Sequence, residues 1–184
     1  MLIFAVLLAS TAALSTGSAQ TGEFAPPARS KQFNTTTLTL TRGKRDDSWA
    51  AAQQVLADHN RLRARHGASP LTLDGGLSNA AANHAQSCAY DGSLYHSDSG
   101  YGENLAAGYE PGSVTDGWSS EESDYDYNNP QYSPNTGHFT QIVWKSSRRL
   151  GVGFARGADG MLYTVAYYSP PGNVQGQFRA NVSP

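Results

Sequence analysis

The chain has 184 residues, of which 39% are hydrophobic, and its formal net charge is −2. That length is sufficient for one domain with a buried core. The small negative charge disfavours nucleic acid as a partner, because such partners attract strongly basic proteins. The charge is unevenly spread: residues 20–45 hold five basic side chains and one acid, whereas residues 46–184 hold eight basic side chains and fourteen acids.

Residues 1–19, MLIFAVLLASTAALSTGSA, are typical of a secretory signal peptide. An apolar run precedes small residues, and the expected cleavage position follows Ala19. A transmembrane anchor is the alternative, but Ser and Thr interrupt the apolar run too early for it to span a bilayer. We therefore expect a secreted, extracellular protein that does not span a membrane.

Residues 20–45 contain two adjacent prolines and many threonines without helical periodicity, which predicts a pro-segment or linker with no core of its own. This segment ends in Lys44-Arg45, a dibasic pair that a processing protease would cut; a solvated charge pair is the alternative. The domain is then expected over residues 46–184. Asn34 and Asn181 each begin a glycosylation sequon, which is meaningful in a secreted chain.

Cys88 is the single cysteine, so an internal disulfide is excluded. A lone cysteine is most often a buried thiol, and a reactive thiol or an intermolecular link are the alternatives. The stability of the domain must therefore come from packing.

From Trp49 the apolar spacing predicts a helix that ends near Gly67. It places His59 on the apolar face, where a hydrogen-bonded core histidine is the expected role. Asp74 is a possible cap for a second, alanine-rich helix. A third helix is predicted over about Ser113–Tyr127.

Within that third helix, Glu121 lies on the same face as Val114, Trp118 and Tyr125. A carboxylate buried without a partner costs several kcal/mol, so Glu121 needs one. His138 is a candidate, because Thr136 is a possible cap for a short helix with His138 in its first turn. The helix dipole there disfavours an imidazolium and leaves a neutral imidazole able to accept a proton or ligate a metal.

The segments LGVGFARG and MLYTVAYYS predict two strands joined by a Gly-rich turn at residues 158–160. Before them, Gly100 and Gly102 separate His96 from Glu103, and positive φ angles at these glycines would bring both side chains to one wall. Two histidines and two glutamates are a usual set for a divalent metal, with zinc favoured. Spacing alone does not decide whether the four residues converge.

Five segments resemble the CAP superfamily, the cysteine-rich secretory, antigen 5 and pathogenesis-related class 1 proteins. GHFTQIVWKSS with LGVGFA is similar to one family signature, and YTVAYYSPPGNVQGQF is similar to the other. HNRLRARHGASPLTLD resembles the first helix and turn of the family, and HSDSGYGENLA and GWSSEESDYDYNNP resemble its central segments. The similarity covers about residues 49–182 and is strongest to fungal class 1 proteins, the group that contains yeast sterol exporters.

The resemblance implies an α/β fold, a three-layer α-β-α sandwich with a central, mainly antiparallel sheet. It carries the family's cavity motif onto His96, Glu103, Glu121 and His138. The two histidines are then expected to bind a divalent metal weakly, most readily zinc, with the glutamates as cleft partners. Val152 and Ala166 stand where the signatures often have cysteine, so disulfide stabilisation is not expected here.

The resemblance also implies a sterol or fatty-acid ligand, taken up through a loop over residues 86–98 with Tyr90, Gly92 and Tyr95. An ordinary surface loop is the alternative. A metal-dependent hydrolase would use a zinc-activated water, but no third protein ligand and no G-x-S-x-G motif are evident. An extracellular effector or signalling protein is a third possibility. We assign no catalytic residue, a non-enzymatic role is favoured, and the oligomeric state is not indicated.

Overall fold

A computed structural model describes the backbone of residues 35–184 and the side chains from residue 47 onward. The predicted signal peptide, its cleavage position and Asn34 lie outside the described residues, as do the side chains of Lys44 and Arg45. Among the helices that are described, none is long and apolar enough to cross a lipid bilayer.

Helix α1 spans Thr35–Arg65 and therefore begins well before Trp49, where the sequence predicted its start. The expectation that this segment lacks helical structure is wrong for residues 35–45, whose backbone is helical, while its role as a pro-segment or linker stays a prediction. The threonines there are poor helix formers, but a helix already nucleated by its buried part gains one hydrogen bond per added residue. The predicted apolar face is confirmed by the buried residues Ala52, Val55, His59 and Leu62.

Helix α2 spans Gly75–Asp91, and the side chain of Asp74 accepts from the backbone N–H of Leu77 at 2.9 Å, as the predicted cap should. The helix ends at Gly92, which has a left-handed φ of 64°. The predicted 86–98 loop is therefore wrong in its first part, because residues 86–91 are helical. Tyr90 lies in the last turn of α2, and the loop proper covers residues 92–101.

Helix α3 covers only Val114–Ser119, and a 3-10 turn follows over Ser120–Asp124, so the predicted third helix is too long. The hydroxyl of Ser120 donates to the carbonyl of Gly117 at 2.7 Å, and the hydroxyl of Ser123 donates to that of Ser120 at 3.1 Å. Such serine bonds compete with the helical ladder and explain its early end. Two further helices are α4 at Gly137–Val143 and α5 at Phe178–Asn181.

The sheet has four strands: β1 at Thr72–Leu73, β2 at Gly102–Ala107, β3 at Arg149–Arg156 and β4 at Leu162–Ser169. Their order is β1-β3-β4-β2, with β1 parallel to β3 and the other two pairs antiparallel. The two predicted strands and the mainly antiparallel sheet are confirmed, and β2 lies at one edge.

Helix layers cover both faces of the sheet, as the three-layer prediction requires. On one face α2 packs through Ala81 and Ala85 against Leu105, Val165 and Tyr167. Gly153 allows this close approach, because a Cβ there would lie 2.0 Å from the backbone nitrogen of Ala82. The other face carries α1, α3 and α4, whose shared core includes Val55, Trp118, Ile142, Ala166 and Tyr168.

Positions that bear on disulfides and glycans lie inside this core. Val152 and Ala166 are cross-strand partners and both are buried, so both positions contribute to the packed core. Cys88 is a buried free thiol, as expected, and burial raises its pKa. Asn181 is also buried, and its amide nitrogen donates to the carbonyl of Gln177 at 3.0 Å. That burial argues against the predicted glycan at Asn181 in the folded protein.

Candidate functional site: two histidine–glutamate pairs at one sheet edge

The first pair joins His138, in the first turn of α4, to Glu121, in the 3-10 turn after α3. Nδ1 of His138 lies 2.6 Å from Oε1 of Glu121. The other carboxylate oxygen of Glu121 accepts from the backbone N–H groups of His138 and Phe139, at 2.9 and 3.1 Å. Glu121 therefore has the partner that its position on the apolar face required.

Glu121, not Thr136, caps helix α4. The hydroxyl of Thr136 makes no capping hydrogen bond and donates instead to the carbonyl of Ser133 at 3.4 Å. A carboxylate is a stronger acceptor than a hydroxyl, and its charge is favourable at the positive end of a helix. The capping prediction for Thr136 is thus wrong, because an acid from a distant segment supplies the cap.

The second pair joins His96, in the loop after α2, to Glu103 on β2. Nδ1 of His96 lies 2.6 Å from Oε1 of Glu103. Glu103 also accepts from the backbone N–H of Ser97 at 3.2 Å and from its hydroxyl at 2.6 Å. The hydroxyl of Ser97 lies 2.9 Å from that of Tyr167 on β4, which connects the loop to the sheet.

The two partners of this pair shift each other's ionisation. The hydrogen bond to Glu103 raises the pKa of His96, against the effect of partial burial. Burial alone would raise the pKa of Glu103, but the hydrogen bonds from His96 and Ser97 outweigh it and hold that pKa below its ordinary value. Glu103 is therefore ionised at neutral pH and can stabilise a positive charge on or near His96.

The pairs approach the β2 edge from opposite faces of the sheet. Side chains alternate along a strand, so Glu103 shares the α2 face with Leu105. Asn104 lies on the α4 face, and its amide nitrogen donates to the carbonyl of His138 at 3.0 Å.

Gly102 does not have the predicted positive φ. It is instead a close-contact position, where a Cβ would lie 2.2 Å from Oε1 of Gln141.

Both histidines keep one ring nitrogen available for a ligand. Nε2 of His96 and of His138 has no hydrogen-bond partner within residues 47–184, and the two imidazole side chains are 71% and 33% exposed. A histidine held through one nitrogen by a carboxylate is the usual arrangement of a metal ligand. The same residues include no group of three or more His, Cys, Asp or Glu side chains placed to hold one metal ion.

A buried hydrogen-bond network lies behind His138. The sequence predicted a core role for His59 but did not predict the rest of this network. The amide nitrogen of Asn104 also donates to the hydroxyl oxygen of Tyr168 at 3.1 Å. That hydroxyl lies 2.8 Å from Nε2 of His59, whose Nδ1 lies 3.0 Å from the hydroxyl of Thr115. The only sequence signal for this hydrogen-bond network was His59, a polar residue on an apolar helix face.

The predicted lipid-binding residues lie around the start of the 92–101 loop. Tyr90 is 89% exposed, and the hydroxyl of Tyr95 donates to Asp91 at 3.0 Å. Both tyrosines line a groove of about 330 Å³. Leu94 and Tyr101 are also exposed in this loop and were missed. A separate groove of about 360 Å³ lies between α1, α2 and β3, and its walls include Trp49, Ala52, Ala82, Val152 and Phe154.

Comparison with known proteins identifies the family. The model of the CAP family, the cysteine-rich secretory protein family, matches residues 56–168. The chain belongs to the CAP family. The family predicted from the five sequence segments is thus confirmed, and both His–Glu pairs lie within the matched region.

Two curated relatives and one crystal structure illustrate this membership. Protein PRY2 of Saccharomyces cerevisiae is 41% identical over 132 residues, which cover 71% of this chain but only 40% of PRY2. The human Golgi-associated plant pathogenesis-related protein 1 is 40% identical over 140 residues, covering 71% of this CAP chain and 91% of the relative. The crystal structure of NaASP2 with Zn²⁺ has the same fold, with a TM-score of 0.59 at 22% identity over 73% of this chain and 86% of that one.

Proposed function

We propose that this CAP protein is secreted, that it binds a sterol or a related small lipid, and that residues 92–101, which we call the gate loop, control access to the ligand. The observation that carries this proposal is the exposure of Tyr90, Leu94 and Tyr95 beside a groove at the start of that loop. Aromatic faces with polar edges suit a flat ligand with one hydroxyl group. The resemblance to the fungal proteins that include sterol exporters supports the same ligand class.

The dimensions and hinges of the site are consistent with this function. Small-molecule pockets usually measure roughly 300–1,000 Å³, and the groove beside the gate loop falls within that range. Gly92 and Gly100, near the two ends of the loop, both have positive φ angles. Few residues other than glycine adopt this left-handed conformation readily. Because glycine also rotates freely, changes in φ and ψ at these two points would move the loop as a unit.

Replacing Tyr90 and Tyr95 together by serine is expected to weaken sterol binding about tenfold or more, because each aromatic contact contributes about 0.5–1.5 kcal/mol beyond its buried area. Both side chains are exposed, so the fold should persist. The measurement is a titration of the purified protein with the fluorescent sterol dehydroergosterol, together with a thermal melt of each variant.

Trp49→Ser is the matched control, because Trp49 is an exposed aromatic residue of the other groove. It should leave sterol affinity unchanged. The reverse result, with weaker binding in Trp49→Ser and normal binding in the double tyrosine variant, would move the lipid site to the groove between α1 and α2.

We also propose that His96 and His138 are able to bind a divalent metal, most readily zinc. Each histidine would ligate through Nε2, since each Nδ1 is already held by a carboxylate. Two protein ligands leave the rest of the shell to water, so the affinity should be well below that of a closed four-ligand site. A bound zinc ion would supply positive charge and Lewis acidity at the β2 edge.

His138→Ala is expected to abolish zinc uptake measured by titration calorimetry at pH 7.5. Glu103→Gln should reduce zinc affinity about 10- to 100-fold, because it removes the carboxylate that orients His96. A thermal melt of each variant separates lost ligation from unfolding. If the wild type takes up no zinc and the variants only melt earlier, the two pairs are structural hydrogen-bond networks.

A further inference from the structure

We propose that His84 is the latch that holds the gate loop closed and thereby sets the rate of lipid entry and release. This inference rests on the proposed lipid-binding function but concerns a residue outside the His–Glu pairs. His84 lies on α2, two turns before its end, and its side chain is 10% exposed.

One nitrogen of His84 holds the loop directly. Nε2 lies 2.8 Å from the backbone carbonyl oxygen of Tyr95. A carbonyl only accepts, so Nε2 carries the proton and donates it. The imidazole also meets the ring of Tyr95 edge-on, with centroids 5.2 Å apart. His84 thus binds both the backbone and the side chain of one gate-loop residue.

One face of the imidazole lies against the sheet. Its ring stacks on Tyr167 with centroids 6.4 Å apart and an interplanar angle of 15°. The nitrogen that bonds to Tyr95, Nε2, also lies 3.9 Å from a carboxylate oxygen of Glu103 on β2 and 3.8 Å from the sulfur of Cys88 on α2. His84 is therefore fixed in position, and a displacement of Tyr95 must break its hydrogen bond rather than carry the histidine along.

The other anchors of the loop lie elsewhere. The hydroxyl of Tyr95 bonds at 3.0 Å to Asp91, the exposed last residue of α2, so this bond does not reach the protein interior, whereas the side chain of His84 is only 10% exposed. His96 and Ser97 are bound to Glu103, at the end of the loop nearer β2. Between Gly92 and His96, the backbone N–H of Ser93 donates to the carbonyl of Cys88 at 3.1 Å and the backbone of Tyr95 also contacts the Cys88 thiol, while His84 is the side chain that holds the carbonyl and the ring of Tyr95.

Loss of the latch should be visible in amide hydrogen exchange, without any lipid. A typical intramolecular hydrogen bond contributes about 1 kcal/mol. His84→Ala should therefore raise the equilibrium constant for opening of the gate loop about fivefold. The reporter is the amide of Ser97, which donates to Glu103 in the closed loop. Amides of β4 should exchange at the wild-type rate, since the sheet does not open with the loop.

Two further variants separate the latch from general packing. His84→Gln keeps an N–H donor and should recover at least half of the lost protection. Tyr95→Phe keeps the ring and the backbone carbonyl but loses the bond to Asp91, so it should exchange within about twofold of the wild type. The proposal would be overturned if the Ser97 amide of His84→Ala exchanged at the wild-type rate. It would also be overturned if all amides of the domain exchanged faster by the same factor.

Stopped-flow mixing with dehydroergosterol tests the consequence for binding. In His84→Ala the association and dissociation rates should both rise about fivefold, with the Kd within twofold of the wild type, because a gate changes both rates together. A weaker Kd with unchanged association would show that His84 only supports the groove, against the proposal. If the wild type binds no sterol, the proposed function fails, and the exchange measurement alone decides on the latch.

Discussion

Replacing Arg63 by methionine is expected to lower the free energy of unfolding by about 3–5 kcal/mol. The guanidinium is fully buried and donates to four backbone carbonyls, those of Ser69, Ile142, Trp144 and Ser147, at 2.6–3.1 Å. Three of these carbonyls lie at or just after the end of α4, where helical carbonyls lack intrahelical partners. Burial lowers the pKa of Arg63 to about 10, so it remains charged at neutral pH. Methionine matches the length of arginine but leaves the carbonyls of Ser69 and Ile142 without a donor among the described residues, and it removes one of the donors to the carbonyls of Trp144 and Ser147.

Arg61→Met is the matched control for this measurement. Arg61 lies two residues before Arg63, pairs with Asp58 one turn earlier in α1, and has a side chain that is 72% exposed. Asp58 is 6% exposed but keeps hydrogen bonds from the amide nitrogen of Gln54 at 3.0 and 3.2 Å, and the guanidinium of Arg61 is largely solvated, so this variant should lose less than about 1 kcal/mol. Urea unfolding monitored by tryptophan fluorescence gives both values. A loss for Arg63→Met within about 1 kcal/mol of the control would show that water replaces the guanidinium at the end of α4.

Acidification from pH 7 to pH 5 is expected to destabilise the domain by about 2 kcal/mol through His59 alone. Burial, reinforced by the charge of Arg63, lowers the pKa of His59 to about 3. Asn104 donates to the oxygen of Tyr168, whose own hydrogen is then available for Nε2 of His59. A proton on Nε2 would break that bond and place a charge in the core.

Proton binding determines whether the unfolding free energy rises or falls with pH. Between about pH 6.5, the ordinary pKa of histidine, and the folded pKa of about 3, the unfolded chain binds a proton that the folded chain does not. The stability that neutral His59 contributes is therefore complete above pH 6.5 and is lost as the pH falls through this window. The raised pKa of His96 acts in the opposite direction, since its contribution is present below pH 6.5 and is lost at higher pH.

Comparing the wild type with His59→Gln isolates this term, because His96 and the carboxylates titrate in both proteins. The difference in unfolding free energy between the two should shrink as the pH falls from 7 to 5. Urea titrations at several pH values give that difference. A constant offset across the range would mean that His59 does not titrate on unfolding, and that acid sensitivity arises elsewhere.

Much of the architecture was determined by local sequence pattern. The apolar face of α1, the Asp74 cap and the two long strands follow from periodicities that a few neighbouring residues define. The family segments identified His96, Glu103, Glu121 and His138 as the cleft residues. The structure joins them as two His–Glu units, Glu121 with His138 and His96 with Glu103, which are the two pairings that the sequence suggested.

Only the tertiary structure decided how distant groups meet. Alternation along β2 places Glu103 on one face of the sheet and Asn104 on the other, and which face meets α4 depends on strand order. The cap of α4 comes from Glu121 rather than from Thr136, because the 3-10 turn carries that carboxylate to the helix end. The acceptors of Arg63 include backbone carbonyls about eighty residues away, which no side-chain pattern encodes. Periodicity determines which face of an element is apolar; which polar groups meet depends on packing between elements far apart in the chain.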